Sequence, residues 1–256
     1  MGTLHDQFLR NPQYGLAHFA SALAQFSPDV ILAEALPGFP AIEGAIDGGI
    51  EQAVVLAFAE EAGVSVVPVD WFDDEFIRAA DAEFQGITPA LKEVVEPLYE
   101  EYKNAFSTRP LLEMNGSEWL GKIRKIYALL EENGLVMSRK RNERICRNLA
   151  GALAALRGKR VLVLFGLDHK FFLDDCVKGI PAQKLIQPAE WYSDAAVGQS
   201  GAGGSLWERS VANLEAARDL LVARLENGHY SRDIAERLKK KLPRFDAWIA
   251  AIRKRP

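Results

Sequence analysis

Three short runs rich in β-branched residues each lead to a residue that carries chemistry. "PDVILAE" (28–34) ends in Glu34, "GVSVVPVDW" (63–71) reaches Asp70, and "RVLVLFGLDH" (160–169) reaches His169. Helical patterns separate them. Residues 13–26, "QYGLAHFASALAQF", carry apolar side chains at helical spacing, and 50–62, "IEQAVVLAFAEEA", read as a buried helix. Residues 138–157 place Ile145, Leu149, Leu153 and Leu156 on one helix face, with Gly158 as a C-cap. Short strands that alternate with helices imply an α/β fold, a mostly parallel central sheet with right-handed crossovers and flanking helices. In such a sheet the carboxyl ends of the strands share one edge, and ligands bind beyond it.

His5 falls just past the place where a first strand would end. The sequence therefore expects His5, Glu34, Asp70 and His169 in one crevice. Two of these belong to GxxH motifs, "GTLH" (2–5) and "GLDH" (166–169), in a chain with only four histidines. Gly166 permits a tight exit from its strand, and Asp168 is expected to cap the helix that follows. Imidazoles plus a carboxylate, with room for water, suit a catalytic divalent Mn, Co, Zn or Fe ion. Such an ion would activate a bound water and polarise a carbonyl. His18, on an amphipathic helix, and His229, in "NGHY", read as structural or exposed.

The chain of 256 residues reads as one α/β domain over 1–256, with two helical additions. Residues 73–134 are rich in helix formers and read as an insertion or cap. Residues 206–256 read as a helical C-terminal extension. "KLIQPAEW" (184–191) is expected as a further strand. The Gly/Pro-rich 35–49 and the stretch 193–205 are expected as loops. In "VDWFDDE" (69–75), Asp73 and Asp74 suit a helix N-terminus. A net charge of −4 gives no reason to expect nucleic acid. The basic stretch 237–256 reads as a solvated helix face, its rival being an interaction surface shared with the helical middle. No 18-residue apolar run is present, so no membrane span is expected. Without a signal-peptide pattern, a cytoplasmic protein is expected. Cys146 and Cys176 form no CxxC and are expected as buried thiols in a reducing compartment. HExxH, GxSxG and Walker A patterns are absent, and "GQSGAGGS" reads as a plain loop.

"GTLH" (2–5), "PDVILAE" (28–34), "RNERI" (141–145) and "VLVLFGLDH" (161–169), in that order, resemble the TraB/PrgY/GumN/Tiki group, which is related to erythromycin-esterase-like and ChaN-like proteins. The likeness spans roughly residues 1–175. It implies an α/β fold with a metal-dependent hydrolytic site. Carried over, His5 and His169 would be metal ligands or catalytic imidazoles, and Glu34 a ligand or general base. Arg141 would face a substrate carboxylate or a developing oxyanion, and Asn142 would orient a neighbour. Apart from the resemblance, the acids and aromatics of "VDWFDDE" (69–75) suit a cleft rim, so Asp70 is expected with Asn142 in binding substrate. The group has a hydrophobic strand before its first GxxH. Here only Met1 precedes Gly2, so a mobile His5 is expected. Two functions follow as expectations. One is a metal-dependent hydrolase, peptidase- or esterase-like, acting on a small-molecule or peptide substrate at the strand ends. The other is a non-catalytic protein that binds haem, iron or a small molecule on the same fold.

Overall fold

The computed structural model describes residues 1–36, 49–198, 204–229 and 232–254. Four strands form one all-parallel sheet: β1 (Gly2–Thr3), β2 (Val30–Ala33), β3 (Ser65–Pro68) and β4 (Val161–Gly166), in the order β1-β4-β2-β3. β4 pairs with both β1 and β2, so residues far apart in sequence meet, with Gly2 opposite Phe165 and Ala33 opposite Leu164. The helices in chain order are α1 (Leu16–Phe26), α2 (Ile50–Ala62), α3 (Asp74–Gln85), α4 (Pro89–Thr108), α5 (Leu111–Met114), α6 (Ser117–Glu132), α7 (Met137–Ala155), α8 (Leu167–Gly179), α9 (Gly204–Glu226), α10 (Arg232–Lys239) and α11 (Leu242–Arg253).

Successive strand residues point to opposite faces, and both faces are buried. Ile31, Ala33, Leu162 and Leu164 enter a large core with α1, α2, α4, α6, α9 and α11. Val30, Leu32 and Phe165 enter a smaller core with Ile145, Leu149 and Leu153 of α7 and Leu173 and Val177 of α8. This is the expected α/β architecture. α2 is enclosed against α9 on one side and the sheet region on the other, so even Glu51 is only 1 % exposed. A carboxylate so placed needs bonded partners.

The helical stretch 73–134 contains α3 to α6. Asp73 caps α3 by accepting from the Phe76 N–H at 2.8 Å, and Thr88 followed by Pro89 opens α4. Three expectations are corrected. "KLIQPAEW" forms no strand: Pro188 has no N–H to give a ladder, and Gln187 and Glu190 cap a short 3-10 turn at Pro188–Glu190 instead. The two cysteines are not free thiols. α7 packs beside α8 and brings the Cys146 and Cys176 Cα atoms to 6.0 Å, where the sulfurs are bonded. The reducing compartment inferred from free thiols loses its support with them. Nor is the start of the chain loose. The Met1 amine donates to the Val163 carbonyl at 2.6 Å, the Gly2 N–H to Asn115 Oδ1 at 2.6 Å, and the Tyr14 hydroxyl to the Gly2 carbonyl at 2.5 Å. The loops expected at 35–49 and 193–205 lie outside the described residues over 37–48 and 199–203. Among the described residues, no helix is long and apolar enough to cross a membrane.

Candidate active site

Because the strands are parallel, their carboxyl ends share an edge. Across it in sheet order stand His5 after β1, Gly166 and His169 at the end of β4, Glu34 after β2 and Asp70 after β3. α7 lies against this edge and adds Arg141 and Asn142. The structure thus gathers the six side chains named from the sequence, with Arg141 at their centre.

The Arg141 guanidinium donates from Nε and Nη2 to the two oxygens of Asp70, at 3.1 and 2.5 Å. Nη2 also donates to Glu34 Oε1 at 3.1 Å, and Nη1 donates to His169 Nε2 at 3.3 Å. Among the described residues, these bonds leave one Nη1 hydrogen uncommitted. Asp70 is held from behind, since its Oδ1 accepts the Trp71 N–H at 2.6 Å and Asn148 grips the Val69 and Asp70 carbonyls at 3.2 Å. Desolvation works against the charge on Arg141, but Asp70 and Glu34 overcome it and keep the guanidinium cationic. The face of the Phe72 ring lies 5.5 Å away.

The two GxxH imidazoles differ in charge. Arg141 can only donate, so His169 Nε2 is the bare nitrogen and Nδ1 carries the proton, which it gives to Asn142 Oδ1 at 2.5 Å. Burial, then the Arg141 cation, holds the His169 pKa down to about 3. His169 is therefore neutral, with both nitrogens engaged.

His5 is the opposite case. Its Nδ1 donates to Glu51 Oε1 at 2.6 Å, and the Thr3 hydroxyl donates to the same oxygen at 2.9 Å. Desolvation pulls the His5 pKa down, but Glu51, backed by Glu34 and Asp168, lifts it to about 10. Glu51 is pushed up by burial and brought back below its usual range by His5. The His5 side chain keeps 44 % of its exposure, against 10 % for His169. Its Nε2 lies 3.9 Å from Glu34 Oε2. The geometry depends on two backbone features. His5 has φ of 48°, in the left-handed region, which swings its ring back over β4. There a Cβ on Gly166 would stand 2.5 Å from His5 Nε2, so only glycine fits. The Gly166 N–H meanwhile donates to Glu34 Oε2 at 2.6 Å.

Asp168 does not cap α8, whose N-cap is Gly166 with no side-chain bond. Its buried Oδ1 and the buried Tyr102 hydroxyl lie close enough to interact. Burial raises the Asp168 pKa against the pull of Tyr102 and His5. Asp168 in turn adds to burial in raising Tyr99, Tyr102 and Tyr127. The helical insertion therefore brings buried phenol groups near Asp168.

A metal ion on His5, Glu34 and His169 would need free lone pairs on all three side chains. His169 Nε2 already faces a guanidinium N–H, both Glu34 oxygens accept N–H groups, and His5 is held as its protonated form. A divalent ion there would sit beside the fixed charge of Arg141. The residues do not fit that triad as arranged, and no group of three or more His, Cys, Asp or Glu set to hold a metal occurs among the described residues. His18 on α1 and His229 after α9 stand away from the crevice. Glu51 was missed in the sequence. Its signal was a polar pair, Glu51–Gln52, just before the apolar run Ala53–Ala59, which can be read as an ordinary acidic first turn. No protein-family model, curated protein or solved structure matches this chain.

Proposed function

We propose that this crevice is a hydrolytic site, esterase- or peptidase-like, in which the chain's own residues move the protons. The observation that carries the reading is the different setting of the two imidazoles: His169 is buried between Asn142 and Arg141, whereas His5, bonded to Glu51, stays open to an incoming molecule. His5 gives its Nε2 proton to the leaving oxygen or nitrogen. Glu34, 3.9 Å away, takes a proton from the attacking water. The uncommitted Nη1 hydrogen of Arg141 meets the oxyanion that forms on the carbonyl. His169 and Asn142 fix the guanidinium, and Asp70 shares its charge. The resemblance to the TraB/PrgY/GumN/Tiki group points to the same reaction class.

The test is hydrolysis of a panel of p-nitrophenyl esters and fluorogenic peptides, with EDTA present throughout. Turnover by the wild type and a loss of about 100-fold or more in His5→Gln is expected, the usual scale for a general acid. Turnover absent with EDTA that appears in a second, EDTA-free assay only after Mn, Co or Zn is added would replace this reading with the metal-dependent one. Turnover indifferent to His5→Gln, or none across the panel, would overturn it and leave the non-catalytic binding protein.

A further inference from the structure

The Cys146–Cys176 bond joins the two helices that supply the halves of one contact. α7 carries Arg141 and Asn142, and α8 carries His169. His169 Nδ1 meets Asn142 at 2.5 Å and His169 Nε2 meets Arg141 at 3.3 Å. The sulfurs lie about one helical turn beyond Arg141 and about two beyond His169, on the same pair of packed helices. Both cysteines are only partly buried, so a dithiol reductant reaches them. An apolar seam with Ile145, Leu149, Leu173 and Val177 packs the same two helices, and packed helices slide past each other by small amounts. The hydrogen bonds of His169 have no such tolerance, because distance and angle both decide them.

We infer that the Cys146–Cys176 bond is a positioning strut for the site, setting the spacing of α7 and α8 that keeps Arg141 and Asn142 on His169. Reduction breaks the S–S bond, leaves two thiols on the chain and oxidises the dithiol to its disulfide. The helices then relax against each other, and His169 loses its fixed tautomer. Loss of about an ångström of alignment costs a rate on the order of 100-fold. The inference takes its meaning from the hydrolytic reading, but its test needs no substrate, so the two fail separately.

The experiment is histidine-selective nitrogen NMR on the full chain, oxidised and after reduction by dithiothreitol, with thiols counted under denaturing conditions. The expected result is no free thiol before reduction and two after it. The His169 signals should move from a single tautomer toward an average, while those of His5, tied to Glu51 on another element, stay in place. The Cys146→Ser, Cys176→Ser double variant should match the reduced protein. Free thiols in the protein as purified in air, or His169 signals unchanged by full reduction, would overturn the strut. A lower melting temperature with His169 unmoved would also overturn it, since the bond would then serve stability alone.

Discussion

At the scale of single residues, the two histidines pull stability in opposite directions with pH. His169 has its pKa depressed to about 3, so above about pH 6.5, where the unfolded chain is also neutral, its contribution is complete. It is lost as pH falls from there toward 3, because the unfolded state takes up a proton that the native site refuses. His5 is raised to about 10, so its contribution is complete below about pH 6.5 and is lost as pH rises toward 10. These two groups together predict greatest stability near pH 6.5. Urea unfolding at a series of pH values should show the alkaline fall in the wild type and a much flatter limb in His5→Gln. The glycine under the imidazole is equally testable. Gly166→Ala puts a methyl 2.5 Å from His5 Nε2, and the ring must leave Glu51 or the backbone must shift. A cost of about 1–3 kcal/mol is expected, the range for overpacking, and the NMR titration of His5 should fall back toward an ordinary imidazole.

At the scale of elements, the bonds that position the site are also bonds that hold the helices. Arg141→Met strands Asp70, whose side chain is 2 % exposed, and Glu34 at 10 %. Removing one partner from a buried ion pair costs about 3–5 kcal/mol, so this variant should unfold at distinctly lower urea than the wild type. The Cys146→Ser, Cys176→Ser variant opens a loop of 30 residues, for which chain entropy alone gives a loss of roughly 3–4 kcal/mol. Much of this layer was legible in the sequence. α2 was read at its observed bounds, because Ala53 to Ala59 form an unbroken apolar run and Gly63 stops the helix in the left-handed region. The strand ends were legible because Glu34, Asp70 and His169 each close an apolar run. What the sequence hid was relational. A two-residue strand has no periodicity to detect. Two cysteines 30 residues apart carry no motif until their helices pack. The equal spelling of GTLH and GLDH concealed that one imidazole faces a carboxylate and the other a guanidinium.

At the scale of the whole molecule, the sheet and the helical insertion act on the same residues. β1 is held by β4 on one side and, from the insertion, by Asn115 on the Gly2 N–H. Asn115→Ala should leave that buried N–H unpaired and loosen β1, at a cost of about 1–3 kcal/mol. Amide exchange should show faster opening at Gly2 and Thr3 than in β2 or β3, and a loss confined to the insertion would contradict the link.

The pairing of Gly2 with Phe165 also fixes an order in time. On the ribosome His5 is made some 160 residues before the strand that seats it. Until then Glu34 has no Gly166 N–H, the guanidinium has no imidazole, and the proton-bearing ring has nothing beneath it. Contacts of such long sequence separation form slowly. A nascent or prematurely ended chain therefore holds these side chains without the contacts that arrange them, and the crevice is assembled only once the fold is nearly whole.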